Sequence, residues 1–160
     1  MNTGCNMISM GIEEILKHQK NRYPYLFIDR ITAVEPGKRA TATKLFTYNE
    51  MFFPGHFDDE PNVPGFIQVE CLVQTFLMTF QSLPEFSGLK ASDSEFRNVR
   101  FQRKIIPGDR LYIEAELQSL RRGVAIGSAH SLVGQEPACS SDFTVVIPEV
   151  FNQFLPDSNR

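Results

Sequence analysis

The sequence predicts an α+β domain in which an antiparallel sheet surrounds one long helix. Residues 66–83 are apolar on almost every side and are bounded by Pro64 and Pro84, which is typical of a buried helix. Segments with the alternation of apolar and polar residues expected of strands lie before and after this helix. A chain of 160 residues suits one domain with at most a short tail.

Before the long helix, the pattern predicts one short helix and two strands. Residues 12–18 are expected to be helical, and residues 25–35 and 39–48 are expected to be strands joined by a Pro-Gly turn. Residues 49–65 are rich in Pro, Gly, Asn and Asp and predict a loop. Loops of this length are often functional, because their backbone groups are free to bind something else.

After the long helix, four strands are expected to complete the sheet. They are residues 98–105, 110–117, 122–133 and 138–147. Strands of one chain rarely enclose a helix fully, so the apolar helix predicts a dimer that joins two sheets. We divide the chain into an N-terminal extension (1–9), the domain (10–147) and a C-terminal tail (148–160).

Composition and charge argue against several classes of function. Lys and Arg number 16 against 19 Asp and Glu, and this net charge of −3 disfavours a nucleic-acid partner. We expect no membrane partner, because no apolar run is long enough to cross a bilayer and no secretory signal is visible. Cys5, Cys71 and Cys139 are odd in number and far apart, which favours a reducing compartment, the cytoplasm. The cysteines and the three widely spaced histidines predict no metal site.

Two side chains near the start of the long helix could carry proton chemistry. His56 lies among phenylalanines, where a partly dry imidazole would be a good general base near neutral pH. The alternative is a loop histidine bonded to backbone. Glu70 lies on the apolar helix, where burial would raise its pKa and make it a proton donor. The alternative is an exposed glutamate favoured by the helix dipole.

Two further groups could support them. The backbone N–H of Gly65 lies at the helix N-terminus, where it could polarise a carbonyl and stabilise an enolate-like oxygen. Gln74 is one turn beyond Glu70 and could orient its carboxyl, or it could be a surface residue. Together His56, Glu70 and Gly65 suggest proton transfer beside a carbonyl.

Three motifs resemble the β-hydroxyacyl-acyl-carrier-protein dehydratases of the FabZ and FabA type. In GHFDDEPNVPGFIQVECLVQ, the histidine and the acid are 14 positions apart, as in that family. RYPYLFIDR, near the N-terminus, and NVRFQRKIIPGD, after the helix, resemble two more family motifs in the family's order. The resemblance covers about residues 10–147.

The resemblance implies a hotdog fold and a homodimer, or a trimer of dimers, with each site shared between two chains. His56 of one chain would remove the α-proton of a 3-hydroxyacyl thioester, and Glu70 of the other would protonate the departing hydroxyl. The product would be a trans-2-enoyl thioester. Gly65 would hold the thioester carbonyl, and Gln74 would lie behind Glu70. A glutamate as the acid is typical of the Z type.

The resemblance implies no cofactor, because the substrate brings its own phosphopantetheine on an acyl carrier protein. The pathway would be fatty-acid synthesis or related lipid or polyketide synthesis. Carrier proteins are acidic, and residues 96–104 contain four basic residues and no acid. These are Arg97, Arg100, Arg103 and Lys104. They could attract the carrier protein, and a solvated strand face is an equally good interpretation.

The sequence departs from the family pattern at positions beside the expected site. Asp58 and Asp59 replace Pro-Gly, and two carboxylates there would favour the charged form of His56. Asn21 stands where the family usually has histidine, and residues 92–96 replace an apolar stretch that borders the site. Two other functions therefore stay open. One is a hotdog acyl thioesterase, which would not require the histidine, and the other is a non-catalytic acyl-binding subunit.

Overall fold

The computed structural model describes residues 7–156, in which a seven-stranded antiparallel sheet packs against one long helix. The strands are β1 (Ile8–Met10), β2 (Arg30–Glu35), β3 (Arg39–Leu45), β4 (Ser92–Phe101), β5 (Arg110–Arg121), β6 (Val124–Val133) and β7 (Glu136–Val146). The helices are α1 (Ile12–His18), α2 (Gly65–Gln81) and α3 (Pro148–Phe151), with 3-10 turns at Phe53–Gly55 and Asn152–Phe154. The strand order is β1-β2-β3-β5-β6-β7-β4, so β1 and β4 form the two edges.

The helix α2 is the centre of the core. It contacts β2, β3, β5, β6 and β7, so the sheet curves around it. All side chains of residues 71–81 are buried, and Phe76 stacks on Phe143 of β7 with ring centroids 5.4 Å apart. Burying each large apolar side chain contributes roughly 2 kcal/mol. The predicted α+β fold around a long apolar helix is confirmed.

Most predicted elements are present with shifted ends. The helix predicted at 12–18 has the bounds of α1, and the helix predicted at 66–83 corresponds to α2. The strands predicted at 39–48, 110–117, 122–133 and 138–147 correspond to β3, β5, β6 and β7. Residues 49–64 form the predicted loop, which includes one 3-10 turn.

Two predicted strands have the wrong bounds for physical reasons. The strand predicted at 25–35 begins only at Arg30, because backbone groups of Tyr25 and Phe27 bind the side chain of Gln74 instead of another strand. The strand predicted at 98–105 is β4, which begins earlier and ends earlier. Its first residues are polar because all ten residues of this edge strand are exposed.

The structure describes only part of the two chain ends. Strand β1, Ile8–Met10, begins in the predicted extension, reaches the first residue of the predicted domain and pairs with β2, while residues 1–6, with Cys5, lie outside the described residues. In the predicted tail, Pro148–Phe151 form α3, and residues 157–160 lie outside the described residues. The division into extension, domain and tail stays a prediction. No helix within residues 7–156 is long and apolar enough to cross a membrane.

Gly127 on β6 marks a close approach of the sheet to itself and to α2. A Cβ atom there would lie 2.1 Å from the backbone oxygen of Glu116 and 2.4 Å from the ring of Phe76. We expect Gly127→Ala to lower the free energy of unfolding by about 3 kcal/mol, because a backbone atom cannot move aside cheaply. Urea denaturation measures this loss. Gly11→Ala is the control, since nothing lies within 4 Å of its added Cβ. Equal losses in both variants would contradict the prediction.

Candidate active site

Glu70 lies on α2, half-buried in a cleft of about 610 Å³. The polar side chains that line this cleft are those of Asn21, Glu70 and Asp93 together with the phenol of Tyr25. The remainder of the lining is apolar and consists of Phe27, Phe66, Val69, Phe96 and Val99. A carboxyl group in such surroundings is poorly solvated, which disfavours its charged form.

Two neutral amides hold the Glu70 carboxyl. Its Oε1 accepts hydrogen bonds from Nε2 of Gln74 at 2.8 Å and from Nδ2 of Asn21 at 3.2 Å. Burial raises the pKa of Glu70 above its ordinary value; the bond from Gln74 opposes this rise, and the nearby charge of Asp93 adds to it. The carboxyl is therefore fixed in place without a positive partner, as a proton donor requires.

Gln74 is fully buried, so the alternative that it is a surface residue is wrong. Its Nε2 also donates to the carbonyl of Tyr25 at 2.6 Å, and its Oε1 accepts from the backbone N–H of Phe27 at 2.9 Å and of Ile28 at 3.4 Å. One side-chain amide thus ties the segment before β2 to α2 and to Glu70. This segment supplies two of the aromatic side chains of the cleft.

His56 lies just after the 3-10 turn Phe53–Gly55 and is partly exposed. Its Nδ1 is 3.0 Å from the carbonyl oxygen of Asn62, and its ring stacks on Phe57 with centroids 4.3 Å apart. Because a carbonyl can only accept, this bond selects the tautomer with the proton on Nδ1. The lone pair on Nε2 is then available to take a proton. His56 can therefore be bonded to the backbone through Nδ1 and still act as a general base through Nε2.

Asp58 and Asp59, the two substitutions beside His56, are exposed. Among residues 7–156, no hydrogen bond or ion pair joins either carboxylate to the imidazole. The acid that follows them, Glu60, forms an ion pair with Lys104. The loop carboxylates therefore face solvent or a lysine in this chain.

Gly65 is the first residue of α2, as the proposed role of its N–H requires. The hydrogen bonds of the described residues include none that its N–H donates, in keeping with its place in the first turn. A Cβ atom at this position would lie 2.8 Å from the ring of Phe101. A larger residue would therefore push against the Phe101 ring on β4.

One chain does not bring all four predicted site groups together. Glu70 and Gln74 are in contact, whereas His56 does not line the cleft and has no hydrogen bond to Glu70. The side chains between and around these groups are unusually exposed for large apolar residues. They include Phe57, Phe66, Phe96, Val99 and Phe101, with Phe66 73% exposed.

The four basic residues predicted to meet a carrier protein differ in their surroundings. Arg103 donates to Asp109 and Glu136 at 3.0 Å each, and Lys104 is paired with an acid of the His56 loop. Arg97 is 3.5 Å from Glu95. Within residues 7–156, Arg100 is the one member of the four without an acidic partner.

Sequence reasoning did not include Asn21 or Asp93 among the site residues. The signal for Asn21 was its position immediately before the Arg-Tyr-Pro motif, where it replaces a family histidine. Asp93 had only its place in the substituted stretch 92–96, because the side of β4 on which it lies depends on irregular strand pairing. No group of three or more His, Cys, Asp or Glu within residues 7–156 is arranged to hold a metal ion.

Comparisons with known proteins agree with this architecture. The FabA-like domain family matches residues 20–141, which is well over half of the chain. A dehydratase heterocomplex, ApeI:P of Xenorhabdus doucetiae, superposes with a TM-score of 0.73 at 12% identity and covers 87% of this chain and 95% of its own. Together with the sheet and central helix, these matches define the class as a hotdog-fold protein with a FabA-like domain.

Two curated sequences narrow the class. The FabZ 3-hydroxyacyl-[acyl-carrier-protein] dehydratase of Chloroflexus aggregans is 37% identical over 88% of this chain and 97% of that protein. Its counterpart in Roseiflexus castenholzii is 41% identical over 83% of this chain and 93% of that protein. The chain belongs to the FabZ family of dehydratases, which are hydro-lyases.

The raised pKa of Glu70 has a consequence for stability. A folded pKa above the unfolded value means that folding favours the protonated carboxyl, so this contribution is lost as pH rises through the folded pKa. Glu70→Gln keeps an acceptor oxygen and cannot ionise. We expect it to melt a few degrees above the wild type at about pH 8, with the difference shrinking towards about pH 4. Thermal melts across this range measure it.

Glu95→Gln is the matched control for that series. Glu95 is exposed and paired with Arg97, so its variant should show no such pH-dependent gain. A Glu70→Gln protein that is less stable than the wild type at high pH would contradict the prediction.

Proposed function

We propose that this protein dehydrates 3-hydroxyacyl thioesters by acid-base catalysis with Glu70 and His56. The observation that carries the proposal is the Glu70 carboxyl, which two neutral amides hold in an apolar cleft. Such a group keeps its proton until a leaving hydroxyl needs it. The pathway is fatty-acid or related lipid or polyketide synthesis, and the substrate is carried on an acyl carrier protein.

The proposed reaction needs one base, one acid and one carbonyl-binding group. Nε2 of His56 takes the α-proton while the N–H of Gly65 donates to the thioester oxygen and stabilises the enolate-like charge. Glu70 gives its proton to the 3-hydroxyl as the C–O bond breaks, which releases water and leaves a trans-2-enoyl thioester. The histidine then holds one proton and the glutamate has lost one, so a net transfer between them restores the starting state. No cofactor enters, because phosphopantetheine is part of the substrate.

We propose that the working unit is a homodimer in which His56 of one chain faces Glu70 of its partner. The two groups do not meet in one chain, and the edge strand β4 borders the cleft with its full length exposed. An open edge that carries Phe96, Val99 and Phe101 is a surface that proteins normally cover. A trimer of dimers would contain the same unit.

The proposed partner, an acyl carrier protein, would dock beside β4. Of the basic residues there, Arg100 has the best support, because its charge is not matched by an acid within residues 7–156. Arg97 lies three positions away and faces an acid at 3.5 Å, which is a weak, exposed pair. Arg103 and Lys104 would have to exchange their present carboxylate partners for those of the carrier.

We also propose a reducing location, the cytoplasm. Cys71 and Cys139 are buried free thiols. Burial raises the pKa of both, that of Cys139 to about 12, so both stay as unreactive thiols at neutral pH. This use of cysteine as a small apolar residue is usual where disulfides do not form.

The first test is the hydration of crotonyl-CoA, the reverse reaction, followed by loss of enoyl absorbance. We expect His56→Ala and Glu70→Gln each to lower kcat/KM by roughly 10²–10⁴-fold, since each removes one proton-transfer group. His130→Ala is the matched control, because His130 is an exposed histidine on β6 that does not line the cleft beside Glu70. Its activity should equal that of the wild type.

Other outcomes would replace the proposal. Release of free thiol that survives His56→Ala would identify a thioesterase. If neither crotonyl-CoA nor a longer carrier-bound 3-hydroxyacyl chain turns over, the non-catalytic acyl-binding subunit would be the better assignment.

The shared site is tested by mixing two inactive variants. A hybrid of one His56→Ala chain and one Glu70→Gln chain has one site with both original groups and one with neither. Random exchange makes half of the dimers hybrid, so we expect about a quarter of the wild-type activity to return. Mass spectrometry of the intact dimers verifies exchange. Complete exchange without recovered activity would mean that both groups act within one chain.

A further inference from the structure

The cleft beside Glu70 contains a second carboxyl, which the proposed reaction does not use. Asp93 lies on β4 and lines the same cleft as Glu70. Its side chain forms no hydrogen bond or ion pair with any of residues 7–156. Although Asp93 is exposed at the edge of the sheet, desolvation by the atoms packed around its carboxyl raises its pKa. An acidic side chain without a partner is unusual in a mostly apolar cleft, so its presence there needs an explanation.

An irregularity in the strand pairing turns Asp93 towards the cleft. Asp93 pairs with Val145 of β7, and Glu95 pairs with the next residue, Thr144, so Ser94 is an extra residue in β4. Val145 is buried on the helix side of the sheet, whereas Thr144 is not. Asp93 therefore lies on the inner side, and Glu95 lies on the outer side. Such bulges redirect side chains, and they are common beside active sites.

The same irregularity places an aromatic residue beside the acid. Phe96 pairs with the buried Phe143, and their rings are 5.9 Å apart at 87°. In a regular strand, Asp93 and Phe96 would lie on opposite faces, because they are an odd number of positions apart. A second irregularity, at Asn98 with φ of 53°, returns Val99 to the cleft. Because of the two bulges, Asp93, Phe96 and Val99, which are three positions apart, all line the cleft.

Among the residues that line the cleft, Asp93 is the one that brings a full charge towards Glu70. From the segment before β2 come the amide of Asn21 and the phenol of Tyr25, neither of which can carry a positive charge. From α2 itself come the amide of Gln74 and the neighbouring thiol of Cys71, which is buried. In the proposed dimer the imidazole of His56 arrives from the partner as the general base. None of these groups cancels a carboxylate charge at position 93.

We propose that Asp93 is a positioning residue that keeps the catalytic proton on Glu70. When Asp93 is ionised, a second negative charge on Glu70 across the poorly solvated cleft is disfavoured, so Glu70 regains a proton after each turnover. Asp93 is the more exposed of the two carboxyls and Glu70 the more buried, so the negative charge is better tolerated on Asp93 and the proton on Glu70. The role belongs to the substituted stretch 92–96 and rests on the proposed function of Glu70 as the acid.

The direct test is titration of the Glu70 carboxyl by carbon-13 NMR on protein labelled at the glutamate side-chain carboxyl. The Glu70 signal is assigned by its loss in Glu70→Gln. We expect Asp93→Asn, which keeps size and removes charge, to lower the midpoint on the order of one pH unit. Glu95→Gln on the outer side of the same strand is the control and should leave the midpoint in place. Asp93→Ser, which also removes the charge, should shift it in the same direction.

The kinetic arm follows dehydration against pH. Since the acid must be protonated, kcat/KM falls as pH rises through its pKa, and Asp93→Asn should move this fall to lower pH with KM at the optimum unchanged. The proposal is overturned if the Glu70 midpoint does not move in Asp93→Asn, or if it moves equally in Glu95→Gln. The NMR titration needs no turnover. An inactive protein with a shifted midpoint would therefore count against the dehydratase and not against the coupling of the two carboxyls.

Discussion

The amide of Gln74 is the contact on which the acid half of the site depends. It lies on a mostly apolar helix, and it binds Glu70 on one side and the backbone of Tyr25 and Phe27 on the other. An unpaired buried backbone group costs about 1–3 kcal/mol. The chain before β2 therefore stays out of the sheet and lies against α2. The Gln74 amide thus satisfies buried backbone groups, and it also holds the Glu70 carboxyl and the segment that carries the aromatic side chains of the cleft.

A second constraint is that the single chain is incomplete. Its sheet curves around α2 but leaves the first turns of the helix, the loop with His56 and the edge strand β4 exposed. Apolar side chains at this edge need cover, and the proposed reaction needs His56 and Glu70 to meet, whereas His56 does not line the cleft of its own chain. One proposed dimer satisfies both needs, so packing and chemistry depend on the same surface.

Much of this could be predicted from sequence because the strongest signals are local. The apolar run bounded by prolines located α2, and Glu70 within that run was expected to be buried. Alternation cannot show that a polar side chain such as Gln74 binds backbone, so the start of β2 was wrong. A bulge also interrupts the alternation of apolar and polar residues along an edge strand. For this reason the bounds predicted for β4 were wrong and Asp93 was not predicted as a site residue. The roles of the individual site residues stay predictions.

The two bulges of β4 also bear on how such a cleft changes during evolution. A bulge is a single inserted residue, and removing Ser94 would exchange the inner and outer faces of the first part of the strand. The acid would then leave the cleft without any change in its own codon or in the residues that hold Glu70. Relatives could thus acquire or lose a polar side chain in this cleft by inserting or deleting one residue in β4, without replacing any residue of the cleft.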